Sequence, residues 1–323
     1  MRLIDQINVA TEVVVDNAMG ARFRVKTAAD FRLAIRATPH RYILDDAATR
    51  LCAELAVLDT QLLYKSFDIL RLPAERFWIE WRERPRVEAL ESARVDFASP
   101  TTIANDSRGG LLIEADGGGR SGSAWLFTGD KDRADVFPLY LQFSTEGFMP
   151  PPPRGGFLST FSLSNSAVPN LKPVLDHCLL RVEASWADYC RRSTQGVDEA
   201  NRYIETLAGK VWFDWPFIAA FLLLYQTRSA FRARPSDLAQ LNSARAKRGK
   251  IALLEHVEIG ASLGGRGLGD AAASVTRDQA GKRLHHVRGH LVRRGDNLHW
   301  RSPHLRGDSA LGVIATRTVR VRA

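Results

Sequence analysis

Three observations predict an α+β fold for this chain. Apolar residues recur at helical spacing near the N-terminus, short β-branched and aromatic runs separated by glycine turns follow, and the C-terminal stretch alternates like strands. The resulting layout is a helical N-terminal part, a small antiparallel sheet in the middle, further helices, and a basic C-terminal β-hairpin or sheet module. Its divisions fall at residues 1–150, 151–230 and 231–323.

Each element has its own reason. Between Ala28 and Leu70, Phe31, Leu33 and Ile35, then Leu51, Leu55, Leu58, Leu62 and Leu63, predict two or three amphipathic helices that Pro73 ends. Phe77-Trp-Ile-Glu-Trp81 has strand composition and Pro85 closes it. Leu111–Ala115, Ser123–Thr128 and Val136–Phe143 predict three strands joined by turns such as Gly117–Gly122. Met149–Gly156, with its four prolines, is a candidate linker or surface loop. Helices resume over Lys172–Leu207 and Pro216–Arg228.

The apolar run Val211–Tyr225 is broken by Asp214 and Pro216 and is shorter than the roughly 20 residues a bilayer needs. It predicts a buried core helix starting near Pro216 and no membrane partner. The opening residues, Met1-Arg-Leu-Ile-Asp, do not form a signal peptide. Cys52, Cys178 and Cys190, odd in number and far apart, make neither a disulfide framework nor a zinc pattern; they predict buried apolar thiols and a reducing, cytoplasmic setting.

The net charge of +9 is unevenly spread. From Arg228 onward there are 19 Lys and Arg against 7 Asp and Glu, a net of +12, whereas the first 227 residues hold 26 against 29, a net of −3. A basic module on a near-neutral body predicts a nucleic-acid contact, because each neutralised phosphate releases counterion; a solubilising surface is the plainer reading. The densest run, Leu241-Asn-Ser-Ala-Arg-Ala-Lys-Arg-Gly-Lys250, offers Arg245, Lys247, Arg248 and Lys250 to phosphate or lies solvated.

Several motifs lack their chemistry. Gly264–Gly269 does not have dinucleotide-site spacing and reads as a hinge, and His256-Val-Glu258 has no Pro-Cys-x-x-Cys to complete a zinc deaminase site. His286 and His290 have zincin spacing without the glutamate, and the two Arg-Gly-Asp tripeptides read as turns. No metal or cofactor is expected.

What remains is Arg283–Gly307, which holds five of the eight histidines. Extended over Leu284–Arg294, it puts His286, Arg288, His290 and Val292 on one face; Gly295-Asp-Asn297 turns, and Leu298–Arg306 returns with Trp300, Ser302 and His304 on one face. Ala310–Arg322 adds a third strand. Arg283, His285, Arg288, His290, Trp300, His304 and Arg306 are thus the candidate binding residues. Guanidinium forks grip phosphate, an indole stacks on a base, and imidazoles donate or shuttle protons; tying strand edges together is the structural alternative.

The pattern Arg283-x-His285-x-x-Arg288-Gly289-His290, then Trp300, Pro303 and Arg306-Gly307, resembles the C-terminal signature of a family of phage and mobile-element proteins of bacteria. That family includes a type V-A anti-CRISPR protein that lowers production of the Cas12a nuclease. Leu72-Pro73 followed by Phe77–Trp81, and Leu241–Lys250, also look like family segments; specific similarity covers about the last 85 residues. The resemblance implies a bacterial host cytoplasm, recognition of a nascent peptide or another protein, and contact with a message or a ribosome-associated complex.

Three functions therefore compete. One is a non-catalytic regulator binding RNA, a protein target, or both, to lower expression of that target. A second is a metal-independent endoribonuclease in which His286 and His290, or His304, move protons while Arg288 stabilises the phosphorane. The third is a structural phage protein.

Overall fold

The computed structural model describes residues 1–9, 28–95, 107–130, 134–150, 160–163, 169–192, 197–227, 229–262, 283–287, 289–295, 297–301, 304–306 and 308–314. It is an α+β protein. Backbone contacts divide it into two compact units: Met1–Gln226 with Ala233–Gly260, and Thr227–Arg232 with Ala261–Ala323. The divisions expected at residues 150 and 231 are not the boundaries of these units.

The first unit opens with helices α1 (Leu3–Val9) and α2 (Ala28–Ala37), strand β1 (His40–Leu44), then α3 (Asp46–Leu58) and α4 (Thr60–Lys65). Strand β2 (Arg76–Arg82) runs into α5 (Glu83–Ser92), and β3 (Arg108–Ala115), β4 (Ser121–Gly129) and β5 (Ala134–Ser144) form consecutive antiparallel pairs. After β6 (Thr160–Ser162), α6 (Lys172–Leu175) and β7 (Cys178–Val182) come α7 (Ala184–Arg192), α8 (Val197–Val211) and α9 (Asp214–Gln226). Strand β8 (Phe231–Pro235), α10 (Ala239–Ala246) and β9 (Val257–Ala261) complete the series, with Phe231, Arg232 and Ala261 falling in the second unit.

One nine-stranded sheet, ordered β6-β7-β5-β4-β3-β2-β1-β9-β8, joins these strands. The predicted antiparallel trio is its middle. β2 adds to that trio antiparallel, while β1 lies parallel to both β2 and β9. Because β5 pairs with β7 across residues 149–156, that segment connects strands of one sheet and is no linker between domains; residues 151–156 lie outside the described set.

Both faces of the sheet are covered, which explains why β2 reads as an unbroken aromatic run instead of an alternating one. On one face Trp78, Leu112 and Trp125 stand opposite one another across three strands and pack with Leu3, Ile4, Ile7, Phe31 and Ile35 of α1 and α2. On the other, Trp81 meets Phe217 at 4.8 Å between ring centroids, and Tyr42 meets Phe221 at 5.7 Å. Helix α9 is buried from Asp214 to Leu224, so it needs no polar stripe. The stretch Asp198–Gln226 is long and apolar enough to cross a membrane by composition, yet most of it is buried inside the fold. Its core helix begins at Asp214, two residues before the expected Pro216, because proline is tolerated within a first turn.

Two strands interrupt segments expected to be helical: β1 between α2 and α3, and β7 within Lys172–Leu207. Each is five residues long and largely buried, and a short apolar run carries no period that separates strand from helix.

The second unit contains β10 (Arg283–Val287), β11 (His290–Arg294), β12 (Asn297–Arg301), β13 (His304–Arg306) and β14 (Asp308–Ile314). β11 and β12 form a two-stranded sheet, and β13-β10-β14 form a three-stranded one.

Candidate functional site

The C-terminal cluster is the antiparallel pairing that strand alternation predicts, divided into two ladders. His290 lies opposite Arg301 and Val292 opposite His299; three residues further from the turn, Val287 lies opposite His304 and His285 opposite Arg306. One register therefore runs through both pieces. The expected strand Leu284–Arg294 is described as β10 and β11, with Gly289 in neither, and β10 also gains a parallel neighbour, β14, which is the predicted third strand as far as Ile314. Arg288, Asp296 and Arg317–Arg322 lie outside the described residues, as does the glycine-rich stretch from Gly264 to Gly269.

The turn is tighter than Gly295-Asp-Asn297. Arg294 pairs with Asn297, so Asn297 belongs to the ladder and two positions separate the paired strands. Gly295 has φ +58°, the left-handed geometry that a two-residue hairpin demands at its first position, and Arg293 Nε donates to its carbonyl at 2.8 Å.

Residues directly opposite share a face, so the hairpin's two sides can be assigned. His290, Val292, Arg294, Asn297, His299 and Arg301 form one side; Arg294, Asn297, His299 and Arg301 are exposed, with His290 and Val292 half-buried. Leu291, Arg293, Leu298 and Trp300 form the other, where Leu291 is buried and Trp300 half-buried. Trp300 is thus on the opposite face from His290 and His299. Its Nε1–H is buried and has no acceptor among the described residues. Among the described residues, no carboxylate pairs with Arg294, Arg301 or Arg306, and Arg306 is exposed.

The register sets none of His286, His290 and His304 directly opposite another: their partners are Leu305, Arg301 and Val287. Arg283 pairs with Asp308 and His285 with Ile314 on the β14 side.

The basic run at Arg245, Lys247, Arg248 and Lys250 belongs to the other unit, as the C-terminal end of α10. Its motif is structural in large part. Asn242 Nδ2 donates to the Leu253 carbonyl at 3.0 Å while Oδ1 accepts from the Leu253 N–H at 2.8 Å, and Arg245 Nε donates to the Ile251 carbonyl at 2.8 Å. Gly249, with φ +65°, ends the helix: its N–H donates to the Ala246 carbonyl, and that of Lys250 reaches back to the Arg245 carbonyl, both at 3.0 Å. This is a Schellman cap, which requires glycine. Cations here also complement the negative end of the helix dipole, so part of the run's charge serves the helix itself. Lys247, Arg248 and Lys250 are exposed.

Glu80, within the aromatic strand, is fully buried. Its two oxygens accept from the Leu3 and Ile4 N–H groups, each at 2.9 Å, and from Arg108 Nη1 at 2.9 Å. The strand thus anchors the first turn of α1, whose N–H groups would otherwise be unsatisfied. Burial still raises the Glu80 carboxyl above its ordinary range, against the opposing pull of Arg108 and those two N–H groups.

Sequence reasoning missed a second charged centre in the first unit. Arg86, buried, donates through Nε to Glu83 at 2.8 Å and through Nη1 to Asp214, and its guanidinium lies 5.2 Å from the centre of the Trp81 ring. Trp81 Nε1 donates to the other Glu83 oxygen at 2.9 Å. Gly109 permits this, since a Cβ there would sit 2.3 Å from Glu83 Oε1. Burial pushes Asp214 up to about 6, with Arg86 opposing and Glu83 reinforcing the rise. The group lines a partly open cavity of about 110 Å³ with Ser107, Thr128 and Lys210. The available signal was an acid opening each of two helices, Glu83 and Asp214, one after an aromatic strand and one before an apolar run.

No family model, curated protein or solved structure matches the chain.

Proposed function

We propose that the protein is a non-catalytic regulator of phage or mobile-element origin that binds RNA through its C-terminal hairpin and thereby lowers expression of a target in a bacterial host. The observation that carries the reading is the exposed hairpin face: Arg294, His299 and Arg301, with His290, lie in one register with no carboxylate pairing the two arginines among the described residues. Arg294 and Arg301 stand at opposite ends of the β11–β12 ladder, four residues apart along it and on different strands, about 14 Å between their Cα atoms, a separation that suits two non-adjacent phosphates of one strand. Trp300 sits on the other side, so phosphate contact rather than base stacking dominates, and sequence preference is weak. The resemblance of Arg283–Gly307 to the mobile-element family supports the target-lowering part of the reading, and recognition of a protein segment belongs to the first unit.

The test is binding of labelled RNA by the full chain, with and without EDTA, over a salt series. Affinity should fall steeply with salt, and replacing both Arg294 and Arg301 by Ala should reduce the log–log slope by about 1.4, since each single-strand phosphate contact contributes about 0.7. His290→Gln should leave binding nearly intact because an amide still donates. Cleavage that persists in EDTA and disappears in His290→Gln would replace this reading with the ribonuclease one. Affinity that is flat with salt would remove both.

A further inference from the structure

The cavity beside Arg86 has a charge imbalance that its own residues leave unresolved. Two carboxylates, the buried Asp214 and the partly buried Glu83, share one guanidinium, so with both ionised the group carries a surplus of one negative charge. Each acid is the first residue of its helix, and the positive ends of α5 and α9 offset part of that surplus. Lys210 contributes to the lining but is exposed and makes no ion pair among the described residues. Much of the rest of the lining is apolar, with Leu111, Leu126, Phe137 and Val211 among it. A buried charge is normally met by a partner, and an apolar pocket with a few convergent polar groups is where a small ligand is held.

We propose that this cavity binds a small primary ammonium with a short apolar body, its head donating to Asp214 and its chain lying against Leu111, Leu126 and Val211. The class follows from the site. An anion would meet two carboxylates and an arginine already engaged by both, whereas an ammonium supplies the missing positive charge. The volume limits the body to a short chain, since a cavity of about 150 Å³ is filled by benzene. Asp214 is the better acceptor of the two acids because both Glu83 oxygens already accept hydrogen bonds, from Trp81 and Arg86. Occupation is independent of the RNA-binding reading, because every residue lining the cavity belongs to the first unit.

The experiment is backbone amide NMR of the full-length protein titrated with n-butylamine, 1-butanol and butyrate. n-Butylammonium should shift the Gly109, Gly110 and Thr128 resonances saturably at about millimolar concentration, as a five-atom ligand allows. 1-Butanol should bind about tenfold more weakly and butyrate not at all. Lowering the pH from 7.5 to 5 should weaken the amine about tenfold as Asp214 takes a proton. In Asp214→Asn the amine should fall to the level of the alcohol; should that variant not fold, Thr128→Leu, which narrows the cavity without touching the ion group, should abolish the shifts. Equal binding of alcohol and amine, saturable binding of butyrate, absence of any saturable shift, or shifts that persist in the variants would each overturn the proposal.

Discussion

Single residues decide how the first unit tolerates its buried charges. Arg86 makes contacts that a hydrophobic replacement cannot: Arg86→Met would leave Glu83 and Asp214 buried without a cation. Breaking a buried pair from one side costs about 3–5 kcal/mol, and that loss should appear in the denaturant midpoint. Asp214 makes a second, opposite prediction. Its folded pKa, about 6, lies above the ordinary value of 3.8, so the folded state holds a proton that the unfolded state has released between those values. This contribution is fully present below about pH 4 and is lost as pH rises through 6, a decline on the order of 2–3 kcal/mol. Denaturation curves from pH 4 to 7 should show that decline in the parent protein and a flatter profile in Asp214→Asn. None of this was legible in the sequence, where Glu83, Arg86 and Asp214 read as ordinary charges, with Arg86 and Asp214 128 positions apart.

At the scale of elements, the sequence was legible wherever a period or a turn residue acts locally. β2 was expected as a strand from its aromatic, β-branched composition, and it is one. The hairpin around Gly295 was expected from alternation, and its register is continuous from His285 to Arg306. β1 and β7 were not, because runs of three or four apolar residues, as in Tyr42–Leu44 and Cys178–Val182, satisfy a buried helix turn as well as a strand. Helix α10 shows the reverse: a charge run read as a phosphate site is also a helix end held by Asn242, Arg245 and Gly249. Gly249→Ala should cost about 1 kcal/mol, the penalty for a side chain in the left-handed region. It should also speed hydrogen exchange at the Leu253 amide, which Asn242 holds. Unchanged exchange there would mean that the cap does not govern the seating of residues 251–253.

For the whole molecule, the charge split and the structural split fall at different places. The basic C-terminal third is divided between both units, and β9 from within it pairs with β1 inside the nine-stranded sheet. A fragment ending at residue 227 would therefore lose β9 and leave β1 with an unpaired edge, whereas a fragment of residues 1–260 keeps all nine strands, short only of the last residue of β9. The longer fragment should retain the main cooperative melting transition and lose salt-dependent RNA binding. The shorter one should melt less cooperatively or not fold. RNA binding by residues 1–260 equal to that of the full chain would relocate the interface to α10.

By itself the sequence determined the α+β class, the antiparallel trio, the apolar core helix, the hairpin and the concentration of positive charge, because each follows from spacing, composition or turn chemistry within about a dozen residues. Tertiary structure decided the rest. It determined that four expected strands join a sheet of nine, that Glu80 serves the first turn of α1, that Trp300 stands away from His290, and that Arg86 gathers two distant acids around one cavity. The physical reason is common to all four. A strand's pairing partner, a side chain's face after register is set, and the partner of a buried charge depend on which distant segments dry contact brings together.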